Sequence, residues 1–245
     1  MIVEFVGSTG SGKTTLISVT KQMLSKRAFV STASDMITRK VGLQSVTHPT
    51  AKNMIQEIIG FPFFLRSLPR HKDFALFTLN ILARQSGFTI FTLNNLRSFE
   101  RKLGVFEINR LIDQNKIILV DEGTVLLAHN LFVFNNLQFP SDVFSKFASL
   151  VPLPDIIIYV RAPIDRLVSR SLQRSDPPRE IRFKTRDAVE MYVKRAVETF
   201  ENLVSHERIR SRTLIVENSN SITEESGSIA DNICDFVLQR IHSSN

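Results

Sequence analysis

The stretch GSTGSGKTT, residues Gly7 to Thr15, constrains the fold of this chain more than any other feature. It matches the pattern G-x-x-x-x-G-K-[ST] at every fixed position, with the apolar run IVEFV before it and the helix-forming run LISVTKQMLSKR after it. Small residues let the backbone curl so that successive N–H groups point at one anion, and the following helix adds the positive end of its dipole. The motif therefore predicts a phosphate-binding loop (Walker A) between a strand and a helix.

Two side chains of this loop have predicted chemical roles. The Lys13 ammonium is expected to reach the β- and γ-phosphates of ATP, and the Thr14 hydroxyl is expected to ligate Mg²⁺. The alternative is a Gly/Ser-rich turn with a chance lysine, but the strand before the motif and the helix after it favour the phosphate loop. The residues predicted to surround the phosphates are Gly7, Ser8, Thr9, Gly10, Ser11, Gly12, Lys13, Thr14 and Thr15.

Short apolar runs predict the rest of the sheet. Strands are expected at 2–6, 116–120, 155–160 and 213–217, with a weaker one at 28–32. Such runs fit strands covered on both faces, and the helical patterns between them indicate a parallel sheet inside helices, which is a doubly wound α/β plan.

A long block, 47–114, lies between the second and third predicted strands. It reads as helices divided at Gly60–Pro62, Pro69, Gly87 and Gly104. We expect residues 1–245 to form a single domain in which this block is a helical insertion that covers one end of the sheet.

Composition limits the classes of function. The chain of 245 residues has one cysteine, Cys234, so an intramolecular disulfide is excluded, and MIVEFVG does not read as an export signal, which favours a cytoplasmic setting. Its apolar runs fall short of the roughly 18 residues that a membrane-spanning helix needs. The net charge of +7 is scattered along the chain, with a local concentration between Arg161 and Arg186 that a polyanionic small ligand explains at least as well as a nucleic acid or a membrane surface. A nucleic-acid partner ranks last, because no groove-reading motif is present and aromatic residues do not interleave with the basic ones.

The run KIILVDE places acidic residues at the end of the third predicted strand. Ligands of parallel sheets bind at the carboxyl ends of the strands, where a triphosphate site needs a carboxylate to orient Mg²⁺ or to accept a proton. We predict that Asp121 is the Mg²⁺ partner and Glu122 a candidate base. Acidic residues also follow strands into solvent, but the phosphate loop favours the functional interpretation.

Arginines recur after the fourth predicted strand, in RAPIDRLVSRSLQRSDPPRE. Arg166, Arg170 and Arg174 are spaced four residues apart and share one helical face. Guanidinium groups on a closing segment neutralise the charge that develops during phosphoryl transfer. A solvated basic helix face is the alternative, although like charges at this spacing repel each other. Residues 166–184 are therefore predicted to form a lid.

With the loop, the DE strand end and the arginine segment in this order, the chain resembles the P-loop kinases of the nucleoside and nucleotide kinase superfamily, and most closely the thymidylate-kinase-like branch. The resemblance implies a three-layer P-loop NTPase fold with a five-stranded parallel sheet, ATP and Mg²⁺ as cofactors, and transfer of the γ-phosphoryl group to a small-molecule acceptor under the helical insertion. It also implies that Arg166 and Arg170 open the lid and contact ATP, and that the region 218–221 packs on the adenine. From the arginine stripe itself, we expect Arg170 and Arg174 to assist catalysis.

The sequence departs from that family in two places. Glu122-Gly123 stands where those kinases have an arginine after the strand-end acid, and STASDMITRK lacks an acidic-proline element after the second strand. A nucleotide, nucleoside, sugar or lipid-linked acceptor therefore stays open, as does GTP in place of ATP. Arg97 and Arg101 share a helical face and are candidates to grip an acceptor phosphate. The candidates on the acceptor side are Asp35, Arg39, Arg84, Arg97, Arg101 and Arg110.

A P-loop ATPase or switch that couples hydrolysis to a partner macromolecule is the alternative function, because motor and transporter ATPases also end this strand with an acidic pair. The Ser-Gly-Gly signature of ABC-type ATPases and the Asn-Lys-x-Asp base reader of GTPases are both absent from the sequence. The Phe-rich insertion is a candidate interface for a homodimer.

Overall fold

The computed structural model describes residues 1–40, 42–43, 48–84, 90–111, 116–133, 139–178, 181–219 and 226–243. Its five strands form one parallel sheet in the order β2-β3-β1-β4-β5. All five predicted strands are confirmed, with boundaries shifted by one or two residues at most. The strands are β1 Ile2–Val6, β2 Val30–Thr32, β3 Ile117–Val120, β4 Ile156–Arg161 and β5 Thr213–Glu217.

Helices cover both faces of this sheet. A short π-helical segment, His129–Val133, follows β3. The α-helices are α1 Lys13–Leu24, α2 Ala33–Lys40, α3 Pro49–Ser67, α4 Lys72–Arg84, α5 Ile90–Arg110, α6 Ser141–Leu150, α7 Ile164–Leu172, α8 Arg186–Ser205, α9 Glu207–Arg210 and α10 Ser226–His242.

The side chains of β1 alternate between two hydrophobic cores. Val3 and Phe5 pack in a core with α1 and α10, whereas Ile2 and Val6 pack in a larger core with the helices on the other face. Because β1 lies between β3 and β4, its carboxyl end meets theirs at one edge of the sheet. The chain that leaves each of these strands therefore begins close to the others.

The insertion between β2 and β3 is helical, but two of its predicted breaks are wrong. Helix α3 continues through Gly60 and Pro62, and α5 continues through Gly104. The two glycines lie where α3 and α5 cross, and a Cβ on Gly104 would stand 2.5 Å from the Gly60 carbonyl oxygen. They therefore permit close packing of two helices and end neither of them.

Pro62 is tolerated within α3 because of its surroundings. It has no N–H to donate to the carbonyl of Ile58, and the Ile58 residue is 70% exposed, so water can reach that turn. The predicted break at Pro69 is confirmed, since α3 ends at Ser67 and α4 begins at Lys72. Gly87 lies outside the described residues.

Two further observations concern the helices that the structure describes. None of the described helices combines the length and the apolar character that a bilayer crossing requires. Cys234 is buried on α10, and burial raises the pKa of its thiol to about 11. The thiol is therefore protonated at neutral pH and packs as part of the core.

Candidate active site

The GSTGSGKTT segment links the end of β1 to the start of α1 in a tight curl. Gly10 and Gly12 have φ angles of 78° and 90°, a left-handed conformation that side chains with a Cβ rarely adopt. Both glycines also have close neighbours: a Cβ on Gly10 would lie 2.7 Å from the carbonyl oxygen of Leu167 in α7, and one on Gly12 would overlap the Asn218 amide. The loop therefore packs directly against the arginine segment and the chain after β5.

Lys13 is the first residue of α1 and folds back over the loop. Its Nζ donates to the carbonyl oxygens of Gly7, at 2.9 Å, and Ser8, at 3.0 Å. Burial lowers the pKa of the ammonium, and the nearby Arg174 lowers it further, whereas Asp121 and Glu122 oppose the shift. The ammonium thus lies within the curl of the loop, where the motif predicts the terminal phosphates.

Polar atoms without a protein partner mark this loop. The hydroxyls of Ser8, Thr9 and Ser11 are buried and, within the described part of the chain, make no hydrogen bond. Buried hydroxyls in proteins nearly always have a partner, so such a group calls for an explanation, such as a missing ion or water. This arrangement fits a loop that holds an anion. Thr15 is half-buried in the first turn of α1.

Asp121 meets the loop from the neighbouring strand. It directly follows β3, and its Oδ2 accepts a hydrogen bond of 3.1 Å from the Thr14 hydroxyl. Burial raises the pKa of Asp121, while the positive charge of Lys13 acts in the opposite direction. The two residues predicted to hold Mg²⁺ are therefore adjacent. Their oxygen donors suit this ion, which commonly takes one or two carboxylates together with substrate phosphates and water.

Glu122 contacts a cation on the insertion. The Arg101 Nη2 of α5 donates to its Oε2 at 2.5 Å. Burial acts to raise the pKa of Glu122, but the charges of Lys102 and Arg101 outweigh it, so the pKa lies below its usual value. The carboxylate is ionised at neutral pH.

The predicted lid arginines occupy three different positions. Arg170, in the last turn of α7, donates to the carbonyl oxygens of Gly10, at 3.4 Å, and Asn218, at 3.2 Å. Arg174 follows the helix, is exposed, and lies close enough for its charge to influence the pKa of Lys13 and that of Asp121. Arg166 is exposed on α7, and its charge acts on Arg170. The structure thus brings Arg170 and Arg174 to the loop, while Arg166 lies farther along the helix.

Asn218 connects β5 to the phosphate loop. Its Nδ2 donates to the carbonyl oxygen of Ser11 at 2.7 Å, and the residue is 2% exposed. Ser219 follows it, and the remainder of the region 218–221 lies outside the described residues.

The predicted acceptor-side residues do not converge on one site. Asp35, in α2, is paired with Lys21 at 2.7 Å and Lys52 at 3.3 Å. Burial acts to raise its pKa, but these lysines and the Thr32 hydrogen bond lower it to about 2. Arg39 is exposed on the same helix.

Arg97 and Arg101 reach different carboxylates. Arg97 binds Glu57 through two hydrogen bonds, of 2.6 and 2.9 Å, whereas Arg101 binds Glu122 at the edge of the sheet. A joint grip on one phosphate by these two arginines stays a prediction, and it would require at least one of these ion pairs to open.

A cavity of about 590 Å³ lies between α3 and α5, a size typical of small-molecule sites. Glu100 is one of its few polar groups, and the residue is 9% exposed. Its Oε1 is buried and has no hydrogen-bond partner among the residues that the structure describes. Burial together with the charge of Glu57 raises its pKa to about 7. Along α5, Glu100 is next to Arg101, which binds Glu122. The cavity is lined by Met54, Glu57, Ile58, Phe61, Phe64, Leu96, Arg97 and Glu100.

Sequence reasoning missed Glu100, Glu4 and Lys102. Glu4 carried a signal, because a carboxylate inside an apolar strand is rare unless it has a specific partner. Glu100 and Lys102 carried none, since both are in the mixed polar stretch FERKLG.

The sheet order, together with a phosphate loop after the first strand, defines a three-layer α/β fold of the P-loop class. No protein-family model matches the sequence, and no curated protein matches it either.

Two solved structures of deoxyadenosine kinase from M. mycoides share the fold. One, with bound dATP, is 15% identical, with a TM-score of 0.52, and the match covers 96% of this chain and all of that one. The other, with the products dCMP and a flexible dCDP, is 12% identical, with a TM-score of 0.51, and the match covers 98% of this chain and all of that one. The likeness therefore extends over nearly the whole chain, and at this identity it establishes the fold.

Proposed function

We propose that this chain is an ATP- and Mg²⁺-dependent kinase that transfers the γ-phosphoryl group of ATP to a small-molecule acceptor, with nucleosides as the first class to test. The observation that carries this proposal is that Asp121, at the end of β3, lies beside Lys13 and Thr14 of the phosphate loop, because these are the groups that a bound Mg²⁺–ATP requires. The shared fold with deoxyadenosine kinase supports it.

The loop residues have distinct roles in this proposal. The amides of residues 7–15 bind the phosphates, and the Lys13 ammonium turns from the loop carbonyls to the β- and γ-phosphates. Thr14 and Asp121 hold Mg²⁺, which would neutralise negative charge on the phosphate oxygens. Arg170 and Arg174 stabilise the charge of the transferring group, and Arg166 contacts the nucleotide from farther along α7.

The acceptor side is proposed on the strength of the cavity between α3 and α5. Its apolar lining suits a ring, and the carboxyl group of Glu100 suits a hydrogen-bond donor on that ring. Glu122 remains the candidate base, because its ion pair with Arg101 keeps it ionised and able to accept a proton, although its lowered pKa makes it a weak base. Asp35, Arg39, Arg97 and Arg101 stay candidates for contacts with the acceptor.

The resemblance to solved structures narrows the panel of acceptors. The two solved structures of deoxyadenosine kinase contain dATP, dCMP and dCDP, so deoxynucleosides and their monophosphates are the first acceptors to test. The thymidylate-kinase-like branch and the homodimer stay predictions.

The test is acceptor-dependent release of ADP. The chain is incubated with Mg²⁺–ATP alone and with each of a panel of deoxynucleosides, nucleoside monophosphates and sugars, and phosphorylated products are identified by mass. Release of ADP that rises with one acceptor, together with its phosphorylated form, supports the kinase. ADP release that ignores every small molecule and rises only with a protein or polynucleotide would instead identify a coupled ATPase.

A further inference from the structure

Glu4 is a charged side chain inside a fully buried strand. It is the third residue of β1, is 1% exposed, and has Val3 and Phe5, both 0% exposed, as its neighbours in the chain. Taking a carboxyl group out of water is unfavourable unless hydrogen bonds or opposite charges compensate. Its place in the centre of the sheet therefore points to a specific task.

The Glu4 carboxylate holds the backbone that follows the strand-end acids. Its Oε1 accepts the N–H of Leu126 at 2.8 Å, and its Oε2 accepts the N–H of Val125 at 3.2 Å. These amides begin the turn that leads into the helical segment ending at Val133. The contact thus ties β1 to the chain only a few residues after Asp121 and Glu122.

The backbone of Gly123 also lies against the Glu4 carboxyl group. A Cβ at this position would overlap the Glu4 carboxyl carbon and both of its oxygens. The chain between Glu122 and Val125 therefore lies directly on the carboxylate, with no space for a side chain. Glycine at this position is therefore explained by the close approach of the backbone to Glu4.

A buried cation supports the same segment. Lys102 of α5 is 4% exposed, and its Nζ donates to the Asn130 Oδ1 at 2.8 Å. Its charge acts on Glu4, Asp121 and Glu122, and it favours the ionised form of Glu4 against the burial that raises the pKa of that carboxyl to about 7. The charge of Lys102 therefore acts both on Glu4, which binds the backbone of residues 125 and 126, and on the acids Asp121 and Glu122, which precede them in the chain.

We propose that Glu4 is a positioning residue that holds residues 123–126 against β1, so that Asp121 faces Thr14 and Glu122 faces Arg101. The inference rests on the proposed function, because this geometry matters for Mg²⁺–ATP. In the proposed role, Glu4 touches neither nucleotide nor metal. It acts only through the backbone that follows Asp121 and Glu122.

The decisive variant is Glu4→Gln, which keeps the shape and one acceptor oxygen but removes the charge. The measurement is the affinity for a fluorescent ATP analogue, mant-ATP, with and without Mg²⁺. We expect the gain in affinity on adding Mg²⁺ to fall about 10- to 100-fold, the range found when a group that orients a metal ligand is removed. Affinity without Mg²⁺ should stay within about twofold, because the loop amides and Lys13 are unchanged.

Asp155→Asn is the matched control. The Asp155 Oδ2 accepts the N–H of Ile2 at 2.6 Å, so it is also a carboxylate bonded to a backbone amide, but at the first residue of β1 and away from the strand-end acids. Its variant should keep the wild-type response to Mg²⁺. A weakening of the same size in both variants would show a general effect on the strand and would overturn the proposal.

Gly123→Ala tests the same contact independently of Glu4. The new Cβ has to displace the segment from the carboxylate, so the response to Mg²⁺ should weaken as in Glu4→Gln, and thermal unfolding of both variants confirms that they fold. Hydrogen exchange of the wild-type chain without nucleotide adds a test that needs no variant. The Val125 and Leu126 amides should be protected, and exchange at the rate of an unstructured peptide would overturn the anchor.

These measurements distinguish failure of the Glu4 proposal from failure of the proposed function. A wild-type chain that binds mant-ATP with a clear Mg²⁺ effect, together with a Glu4→Gln variant that responds equally, overturns the role of Glu4 and leaves the kinase intact. A wild-type chain that binds no mant-ATP under any condition removes the proposed function, and the role of Glu4 in it, even where the Val125 and Leu126 amides are protected.

Discussion

The charges at the phosphate loop are arranged so that each acid has a cation within reach. Asp121 lies near Lys13, and Glu122 is bound by Arg101 with Lys102 nearby. In a partly buried site such pairs favour the ionised form of each carboxylate, and each carboxylate in turn stabilises the ammonium or guanidinium beside it. In the proposed function, a bound triphosphate would add several negative charges here, and Arg170 and Arg174 would neutralise part of them.

Replacing Lys13 tests the central residue of the site. Lys13→Ala removes the only ammonium that contacts the loop carbonyls within the described residues, so we expect turnover to fall roughly 10²- to 10³-fold, as when one electrostatic group at a transition state is deleted. The readout is ADP release. Lys26→Ala, an exposed lysine just after α1, serves as control and should keep full activity. Retained turnover in Lys13→Ala would contradict the phosphate-loop assignment.

Glu100 predicts a change of stability with pH. Its pKa is raised from 4.5 to about 7 in the folded chain, so the folded state holds this proton more tightly than the unfolded state does. The resulting stabilisation is fully present below pH 4.5 and is lost as the pH rises through 7. At about 1.4 kcal/mol per pH unit, the loss amounts to roughly 3 kcal/mol.

The variant Glu100→Gln isolates this contribution, because all other groups titrate in both proteins. We expect the free energy of unfolding of the variant, relative to the wild type, to become more favourable by up to roughly 3 kcal/mol between pH 5 and pH 8. Urea denaturation at the two pH values measures the difference. An equal difference at both would contradict the raised pKa, which arises from burial and from Glu57, with Arg97 and Arg101 opposing.

At the scale of the elements, the crossing of α3 and α5 shows how one residue type acts in two ways. Glycine within a helix weakens it when the helix is isolated, which is why the sequence predicts a break at Gly60 and at Gly104. The crossing reverses that expectation, because removing both Cβ atoms lets the backbones touch and allows α5 to pack closely on α3. The two positions nevertheless differ, because a Cβ added at Gly104 would be directed into the Gly60 backbone, whereas a Cβ added at Gly60 would make only an ordinary contact with Gly104.

Alanine substitutions at these two glycines should therefore have different effects. In Gly104→Ala the Cβ would meet the Gly60 backbone at 2.5 to 2.9 Å, so the helices have to separate, and we expect a loss of about 1–3 kcal/mol of unfolding free energy. In Gly60→Ala the nearest atom is at 3.6 Å, an ordinary contact, so the change should be neutral or stabilising by up to about 1 kcal/mol. Chemical denaturation compares them, and equal losses would contradict the observed crossing.

At the scale of the whole molecule, the phosphate loop is in contact with several strands and helices of the fold. It joins β1 to α1, touches α7 at Gly10, and receives the Asn218 side chain from beyond β5. A ligand bound in the loop, as we propose, would therefore contact several of these elements. Because such a ligand would bind only the folded chain, its binding free energy would add to the stability of the chain as a unit.

Mg²⁺–ATP should accordingly raise the melting temperature. At 100 times its Kd a ligand stabilises the folded state by about 2.7 kcal/mol, which for a chain of this length corresponds to roughly 5–10 °C. Thermal unfolding with increasing Mg²⁺–ATP measures the shift. Mg²⁺ with AMP is the control, because AMP lacks the β- and γ-phosphates and should give a much smaller effect. Equal shifts with both nucleotides would argue against recognition of the triphosphate.

The strands, the phosphate loop and the strand-end acids could all be predicted from the sequence. These features depend on residues that are close together in the chain: an apolar run of five residues, a glycine-rich turn, and an acid directly after a strand. Local backbone preferences and burial on both faces act at that range, so the pattern alone determines them. The parallel arrangement of the strands then places Asp121 beside Thr14.

Only the tertiary structure decided which charges meet. Arg97 pairs with Glu57 while Arg101, four residues later, pairs with Glu122, and Glu4 binds an amide 122 positions away in the chain. Such contacts depend on how helices cross and on which side chain the core encloses, and spacing along the chain carries no information about either. The physical reason is that a charge is stabilised by whatever lies within a few ångströms of it in space, and folding alone brings those groups together.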